Sequence, residues 1–301
     1  MVMVADVREI TPIEASSWSS LVTDFQLAIT AQGLKVHSVA NYSRDVSRLA
    51  KHLSGTPVGL VSTSDVRGFL VDLARSRSAK TVYETQLGIR RFFRFLVAEG
   101  RISNDPTRGI RTVRFEVRPQ PTYSPDEVRQ LLRACDLNTL PGVRDFAIVT
   151  VLFDTGVRAG ELVSMGLPDW DRRHVRVDGK TGVRIVPVGK ASLQAIKTYV
   201  DRWNIGEGRL WRGERVPLEG SGARQVVRRL CYAAGVPDKG VHAFRRAAAA
   251  QMKRLGMQDS DILEVMGWKN VLMLRRYTAE VATELAGAAH AKFSPGDSID
   301  G

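Results

Sequence analysis

Hydrophobic residues recur every three or four positions along the first 115 residues, and short polar stretches interrupt them. Four such segments are "SSWSSLVTDFQLAITAQG", "SVANYSRDVSRLAKHLSG", "STSDVRGFLVDLARSR" and "SAKTVYETQLGIRRFFRFLVAEG". This period is typical of amphipathic helices, and Gly33 and Gly55 are suitable ends for the first two. Because no alternation of period two is present here, residues 13–115 are predicted to form a bundle of about four helices.

A proline-rich stretch separates this helical region from the rest of the chain. Pro119, Pro121 and Pro125 fall within seven residues, and such a segment is extended and semi-rigid. Ser124, Pro125 and Glu127 then form a helix start, because a serine N-cap is followed three positions later by a glutamate. We therefore expect a flexible N-terminus at 1–12, a helical domain at 13–115, a linker at 116–122, a second domain at 123–293 and a flexible tail at 294–301.

The second region combines helical stretches with one alternating segment. "RHVRVDGKTGVRIVPVG" alternates on both sides of residues 178–182, which predicts a β-hairpin with a loop of about five residues. Helices are predicted around it, at about 191–203 and 221–234 among others, and a last short helix at about 279–290. The predicted fold class is therefore mainly α with a small β-hairpin: a helical domain followed by a mixed α/β domain.

The charge balance indicates a polyanionic partner. The chain has 44 Lys+Arg against 32 Asp+Glu, a net charge of +12, and 34 of the basic residues are arginine. Arginine binds phosphate with two parallel hydrogen bonds, which lysine cannot do. Nucleic acid is therefore the first candidate partner, and a solvated arginine-rich surface is the alternative.

The remaining composition excludes several classes of protein. No stretch approaches the roughly 18 apolar residues of a membrane span, and the start lacks the features of a signal peptide. Cys135 and Cys231 lie in apolar helical contexts, which favours buried, reduced thiols. No compact carboxylate cluster and no Cys/His ligand spacing is present, so neither a metal nor a cofactor is expected. We expect a cytoplasmic, nucleoid-associated protein without a membrane partner.

One predicted helix of the first domain has cations beside its apolar face. Val82 and Phe92 belong to the apolar stripe, and four basic residues lie off it: Lys80, Arg90, Arg91 and Arg94. A helix lying against a DNA backbone has this arrangement. These four residues are candidate DNA contacts, and a solvated face explains any single one of them equally well.

Several residues of the second domain suit phosphoryl transfer when they are considered together. They are Arg158 after a glycine turn, Lys180 at the hairpin tip, His242 and Arg245 one helical turn apart, Trp268, and Tyr277. Phosphoryl transfer needs cations around the phosphate oxygens, an in-line nucleophile and an acid for the leaving oxygen. Each residue alone has a simpler explanation, since Arg158 can pair with Glu161 and a lone tyrosine is usually packed in a core.

Four segments resemble the signature boxes of the tyrosine recombinases, the phage integrase and Xer family. "DTGVRAGEL" is similar to T-G-x-R-x-x-E-L, and "HAFRR" is similar to H-x-x-R. "MGW" with a tyrosine nine residues on resembles the final box, and "GKTGVRIVPV" resembles the hairpin that carries a catalytic lysine. Order and spacing agree over residues 123–290, and "NDPTRGI" at 104–110 also fits. The helical first domain resembles the family's core-binding domain, which is SAM-like.

The resemblance implies a role for each matching residue. Arg158 and Arg245 would bind the non-bridging oxygens of the scissile phosphate, with assistance from His242. Lys180 would protonate the leaving 5′ oxygen, and Tyr277 would attack to form a 3′-phosphotyrosyl link.

Two further residues carry implied roles, and three positions depart from the family's pattern. Trp268 would contribute an indole N–H donor, and Glu161 would orient the site without reacting. Phe244 and Arg246 stand where Leu and His are common, and Met266 stands where Leu is usual. The role of Arg246 is open, as are those of Arg275 and Arg276.

The resemblance also implies an activity and partners. The chain would be a site-specific DNA recombinase that uses neither metal nor ATP. It would act on double-stranded recombination sites, as a monomer when free and a homotetramer on synapsed DNA, with an accessory or directionality protein as an optional partner. About ten residues precede the first predicted helix, so no arm-site-binding domain is expected. Residues 279–293 carry a narrow apolar stripe that docks either on a neighbouring subunit or on its own domain: Val281, Leu285, Ala288 and Ala289.

A phage or mobile-element integrase is the favoured role. The alternatives are an Xer-type resolvase of chromosome or plasmid dimers, a type IB topoisomerase-like enzyme, and a non-catalytic DNA-binding protein.

Overall fold

The computed structural model describes residues 17–116, 120–180, 182–213 and 216–299, and the chain divides into two units between residues 117 and 118. The predicted flexible N-terminus, residues 117–119 of the predicted linker and the last two residues of the predicted tail lie outside the described residues. Within those ranges, no helix is long and apolar enough to cross a membrane.

In its described part, the first unit is built from four α-helices and one short 3-10 helix. They are α1 (Trp18–Ala31), α2 (Val36–His52), the 3-10 helix Val58–Leu60, α3 (Thr63–Ser76) and α4 (Ala79–Ala98). Ser17, Ser62 and Ser78 start α1, α3 and α4, since each side chain accepts a hydrogen bond from a backbone N–H of the first turn. Phe25 and Phe92 lie at the centre of one apolar core. The predicted helical bundle is confirmed.

The second unit surrounds a β-hairpin with helices. Its described helices are α5 (Pro125–Arg133), α6 (Leu140–Thr155), α7 (Ala159–Ser164), α8 (Lys190–Trp203), α9 (Gly220–Ala234), α10 (Val241–Arg254), α11 (Asp259–Met266) and α12 (Val271–Lys292). The strands β1 (His174–Gly179) and β2 (Gly182–Pro187) pair in antiparallel register. Helix α6 is central, since it packs against α5, α8 and α10. The predicted mainly helical fold with a small hairpin is confirmed.

The hairpin loop is shorter than the sequence predicts. Gly179 pairs with Gly182, so only two positions separate the paired residues at the tip, rather than about five. Gly182 has a φ of 101°, which residues with a side chain rarely adopt. This glycine lets the ladder continue to the tip.

The last helix is longer than the predicted one at about 279–290. Helix α12 starts at Val271, because the side chain of Asn270 caps its first turn by accepting from the N–H of Leu272, and the helix continues to Lys292. The predicted nucleophile therefore lies within a helix rather than before one. Within the predicted loose tail, Gly296–Ser298 form a short 3-10 helix.

Candidate active site

The turn between α6 and α7 places Arg158 beside Glu161. Gly156 ends α6 in the left-handed conformation, with a φ of 59°. The backbone N–H of Arg158 then donates to the Glu161 carboxylate at 2.8 Å, and its Nη1 donates to the same carboxylate at 2.8 Å. One carboxylate therefore caps the start of α7 and holds the guanidinium that precedes it.

Glu161 is completely buried and lies among three arginines. Arg184 on β2 donates to it through Nε and Nη2, at 3.2 and 3.0 Å. Nη1 of Arg245 lies 3.9 Å from one of its oxygens. Burial alone would raise the pKa of Glu161, but the hydrogen bonds and charges of Arg184 and Arg158 lower it to about 2. Glu161 is therefore ionised at neutral pH and offsets part of the repulsion among the arginines.

Arg245 lies in α10 and is only 1% exposed. Its Nη1 donates to the carbonyl oxygen of Gly156 at 2.6 Å, and its Nη2 donates to the carbonyl oxygen of Met266. Its guanidinium also lies 5.0 Å from the ring centroid of Trp268. Burial, together with the positive charge of Arg158, lowers the pKa of Arg245 to about 10, so the group stays charged at neutral pH. These contacts tie α10 to the ends of α6 and α11.

Tyr277 lies in the second turn of α12 at the edge of this cluster. Its hydroxyl oxygen is 3.0 Å from Nε2 of His242. Its ring stacks on Trp268, with the centroids 4.9 Å apart and the planes inclined by 26°. Trp268 in turn belongs to a small apolar cluster with Met266 and Leu274. Tyr277 is therefore both a packed aromatic residue and a hydrogen-bonded phenol beside buried cations.

The pKa of His242 is lowered from its ordinary value of 6.5. The causes are partial desolvation, followed by the positive charges of Arg246, Arg245 and Arg158. The imidazole is therefore neutral at pH 7, and Nε2 can accept the hydroxyl proton of Tyr277.

Lys180 lies at the tip of the hairpin, directly after β1, and its side chain is exposed. The hairpin reaches the buried cluster through Arg184, which lies on the second strand. The structure thus brings six of the predicted site residues together in one cluster: Arg158, Glu161, His242, Arg245, Trp268 and Tyr277. Lys180 lies on the hairpin, which is joined to this cluster through Arg184.

Arg184 is absent from the residues that the sequence predicts for the site. It is in phase with Val186 and Val188, whose side chains face the core, because alternate residues of a strand share a face. An arginine on the core-facing side of a strand needs a buried partner. That position in the alternation is the sequence signal that identifies it.

Two of the candidate DNA contacts on α4 have partners within their own unit. Arg90 donates to the carbonyl oxygen of Ile110 and, at 2.7 Å, to the hydroxyl of Thr112. Arg91 donates to the Gln32 side chain at 2.6 Å. Both arginines therefore stabilise the unit in addition to any role on DNA.

The other two candidate DNA contacts are exposed. Lys80 forms a surface ion pair with Glu84 at 3.8 Å, and Arg94 lies on the same helix.

The three arginines without an assigned role differ in their surroundings. Arg246 donates through Nε and Nη2 to the carbonyl oxygen of Pro121, at 2.9 and 2.5 Å. It therefore holds the start of the second unit against α10. Arg275 and Arg276 are both exposed on α12.

Gly156→Ala is expected to destabilise the second unit by about 2 kcal/mol, because alanine is strained at a positive φ and its Cβ would crowd two buried side chains. The backbone φ is positive, and an added Cβ would lie 2.7 Å from Cε of Met266 and 3.1 Å from Cβ of Ala248. Chemical unfolding measures the loss. Gly160→Ala is the matched control, since a Cβ at Gly160 meets nothing within 4 Å and alanine favours the helix. Equal stability of both variants would contradict this account.

Comparison with known families matches both units. The model of the phage integrase family matches residues 122–284, and that of the phage integrase N-terminal SAM-like domain matches residues 23–100. A curated relative is the tyrosine recombinase XerC of Roseiflexus castenholzii, 28% identical over 284 residues, which cover 88% of this chain and 89% of the relative. The tyrosine recombinase XerD of Mycobacterium tuberculosis is 29% identical over 275 residues, covering 82% and 88%.

Solved structures share the fold at lower identity. A lambda integrase dimer bound to a COC′ core site superposes with a TM-score of 0.72 at 19% identity, covering 86% of this chain and 94% of that chain. The Tn1549 transposon integrase in complex with a circular intermediate DNA gives a TM-score of 0.72 at 16% identity, covering 91% and 99%. Since the integrase model spans more than half of the chain and the SAM-like model covers the helical unit before it, the chain belongs to the phage integrase family, the tyrosine recombinases.

Proposed function

We propose that this enzyme is a site-specific DNA recombinase that cleaves and rejoins DNA through a 3′-phosphotyrosyl intermediate formed on Tyr277. The observation that carries the proposal is the 3.0 Å contact between the Tyr277 hydroxyl and Nε2 of His242, at the edge of a buried arginine cluster. A phenol that only packs needs neither a neutral base nor guanidinium groups around it.

Arg158 and Arg245 are proposed to bind the non-bridging oxygens of the scissile phosphate. The side chain of Arg158 is 28% exposed, so a phosphate can reach its guanidinium directly. Arg245 is nearly buried, and two carbonyl oxygens hold it. A guanidinium carries more N–H donors than these two bonds use, and its charge acts on the phosphate through a medium of low polarity.

The reaction then needs two proton transfers. As the Tyr277 oxygen forms its bond to phosphorus, its proton passes to Nε2 of the neutral His242. As the bond from phosphorus to the 5′ oxygen breaks, Lys180 gives a proton to that oxygen. Trp268 holds the tyrosine ring in place by stacking, and its indole N–H is a proposed donor to the phosphate. Religation reverses each step.

The cleavage rate is expected to fall as the pH is lowered, with a midpoint below 6.5. The pKa of His242 is depressed, so the imidazole stays neutral until the pH falls through that lowered value, where protonation removes the acceptor. Single-turnover cleavage at pH 5–8 measures the profile, which His242→Gln should flatten. His290→Gln, an exposed site on α12, should leave it unchanged. A midpoint above 7 would contradict the assignment of His242 as the base.

The central experiment traps the covalent intermediate. Duplexes that bind the protein are selected from a random pool, and a nick is placed so that the cleaved fragment diffuses away. We expect an adduct that survives denaturation and that peptide mapping locates on Tyr277. If selected duplexes bind tightly but yield no adduct, the chain is a non-catalytic DNA-binding protein and the proposal is wrong.

We further propose that four copies act on two synapsed duplexes and that the biological role is integration by a phage or other mobile element. A solved lambda integrase tetramer bound to a Holliday junction is a relative in fold. Resolution of chromosome or plasmid dimers is the second candidate, because the curated relatives quoted above are XerC and XerD. Plasmids that carry the selected site distinguish the two roles: a resolvase reduces plasmid dimers to monomers, whereas an integrase joins two different replicons.

A further inference from the structure

Arg184 connects three elements of the active site. It projects from β2 and donates through Nε and Nη2 to the two carboxylate oxygens of Glu161 on α7, at 3.2 and 3.0 Å. Its Nη1 donates to the carbonyl oxygen of Val265 at 2.6 Å, one residue before the carbonyl that holds Arg245. Its side chain is only 14% exposed, so these bonds are shielded from water.

The same carboxylate is shared between two arginines. Each oxygen of Glu161 accepts one bond from Arg158, at the backbone N–H and at Nη1, and one bond from Arg184. A buried carboxylate attracts a guanidinium strongly and prefers to accept two parallel bonds from it. Because Arg184 occupies that arrangement, Arg158 is left with a single side-chain bond to Glu161.

The charges of the cluster also favour an Arg158 guanidinium that is available to a phosphate. Three guanidinium cations and one carboxylate leave two positive charges around the phosphate position. A phosphodiester carries one negative charge and gains a second as the Tyr277 oxygen gives up its proton and attacks. Without Arg184, the cluster would hold only one net positive charge, and the Glu161 carboxylate would compete with the phosphate for Arg158.

We propose that Arg184 is a positioning residue that occupies Glu161 and thereby keeps the Arg158 guanidinium available to the scissile phosphate. The role rests on the proposed function, since it requires a phosphate at Arg158. When Arg184 is removed, the Arg158 guanidinium rotates to form two parallel bonds to Glu161 in its place and moves away from the phosphate.

A double-mutant rescue tests this role. Arg184→Met should slow single-turnover cleavage at saturating DNA by about 10- to 100-fold, the usual effect of losing a partner that orients a reactive group. Adding Glu161→Gln removes the negative charge that captures Arg158, so the double variant should cleave about tenfold faster than Arg184→Met alone. A purely structural role predicts the opposite, because the second substitution removes another buried bond. Arg176→Met, at an exposed position of β1, is the matched control and should cleave at the wild-type rate.

The outcomes separate the two proposals. If the wild-type protein cleaves DNA, two results overturn the positioning role alone. One is an Arg184→Met variant that cleaves at the wild-type rate, and the other is a double variant that cleaves no faster than Arg184→Met. A wild-type protein that forms no adduct on selected duplexes overturns the proposed function, and this role falls with it. If Arg184→Met does not fold, Arg184→Lys retains the charge without the fork and carries the same comparison with and without Glu161→Gln.

Discussion

Tyr277→Phe is expected to abolish the covalent protein–DNA adduct and to leave both the fold and DNA affinity intact. The substitution removes one oxygen, which is the atom 3.0 Å from Nε2 of His242. The phenyl ring retains the stacking on Trp268, so the apolar cluster around it is preserved. Loss of a nucleophile lowers the rate by at least about 10⁴-fold. Denaturing gel analysis of the trapped intermediate gives the rate, and a mobility shift gives the affinity.

A second tyrosine provides the control for this substitution. Tyr232 on α9 is 91% exposed. Tyr232→Phe likewise removes one phenolic oxygen, from a residue that is not part of the proposed site. We expect wild-type cleavage from it. An adduct that persists in Tyr277→Phe would show that Tyr277 is not the nucleophile, and peptide mapping would then identify the residue that is attached to the DNA.

Arg245→Ala and Arg158→Ala are expected to have similar effects on cleavage but different effects on stability. Each removes a cation from the phosphate site, so each should slow cleavage by about 10²- to 10³-fold. Arg245 is buried and holds the carbonyl oxygens of Gly156 and Met266. Its removal leaves both carbonyl oxygens without their buried donor and takes one positive charge from beside Glu161, at a cost of about 3 kcal/mol in the free energy of unfolding. Arg158 is partly exposed, and Arg184 still accompanies Glu161 in its absence, so the expected loss is about 1 kcal/mol or less.

Denaturant unfolding and single-turnover cleavage, measured on both variants, check the contrast. Equal losses of stability would show that the burial of Arg245 has no energetic role. Cleavage at a near wild-type rate in either variant would remove that arginine from the proposed phosphate site.

The local sequence predicts the helices, the hairpin and most of the proposed site, because each depends on short-range patterns. The hydrophobic period gives the first four helices, and the boxes around Arg158 and Arg245 identify the candidate cations. The burial of a single arginine cannot be predicted in this way. Nothing local distinguishes Arg245, which is enclosed by α6, α11 and Trp268, from Arg246, which holds the carbonyl oxygen of Pro121.

Elements that depend on distant contacts could not be predicted in the same way. The alternation along β2 predicts that Arg184 faces the core, but its partner is the carboxylate of Glu161, 23 residues earlier in the chain, and no local pattern identifies that partner. The sequence leaves two interpretations for the apolar stripe of the last helix, docking on a neighbouring subunit or on its own domain. Val281 is buried at 2% exposure on a helix that packs against α10, whereas Ala288 and Ala289 are exposed. The stripe therefore docks on its own unit at its beginning.

The stacking of Tyr277 on Trp268 has a consequence for the lifetime of the covalent intermediate. Rotation of the tyrosine ring away from the site requires the two rings, 4.9 Å apart, to separate. Because Tyr277 also lies inside a continuous helix, its backbone cannot swing outward as a loop would. In the proposed reaction, the DNA end attached to this ring stays oriented while strands exchange. Cleavage and religation then proceed through the same geometry. An incoming 5′ hydroxyl is favoured over water only when it approaches the phosphorus from the direction in which the first 5′ hydroxyl departed.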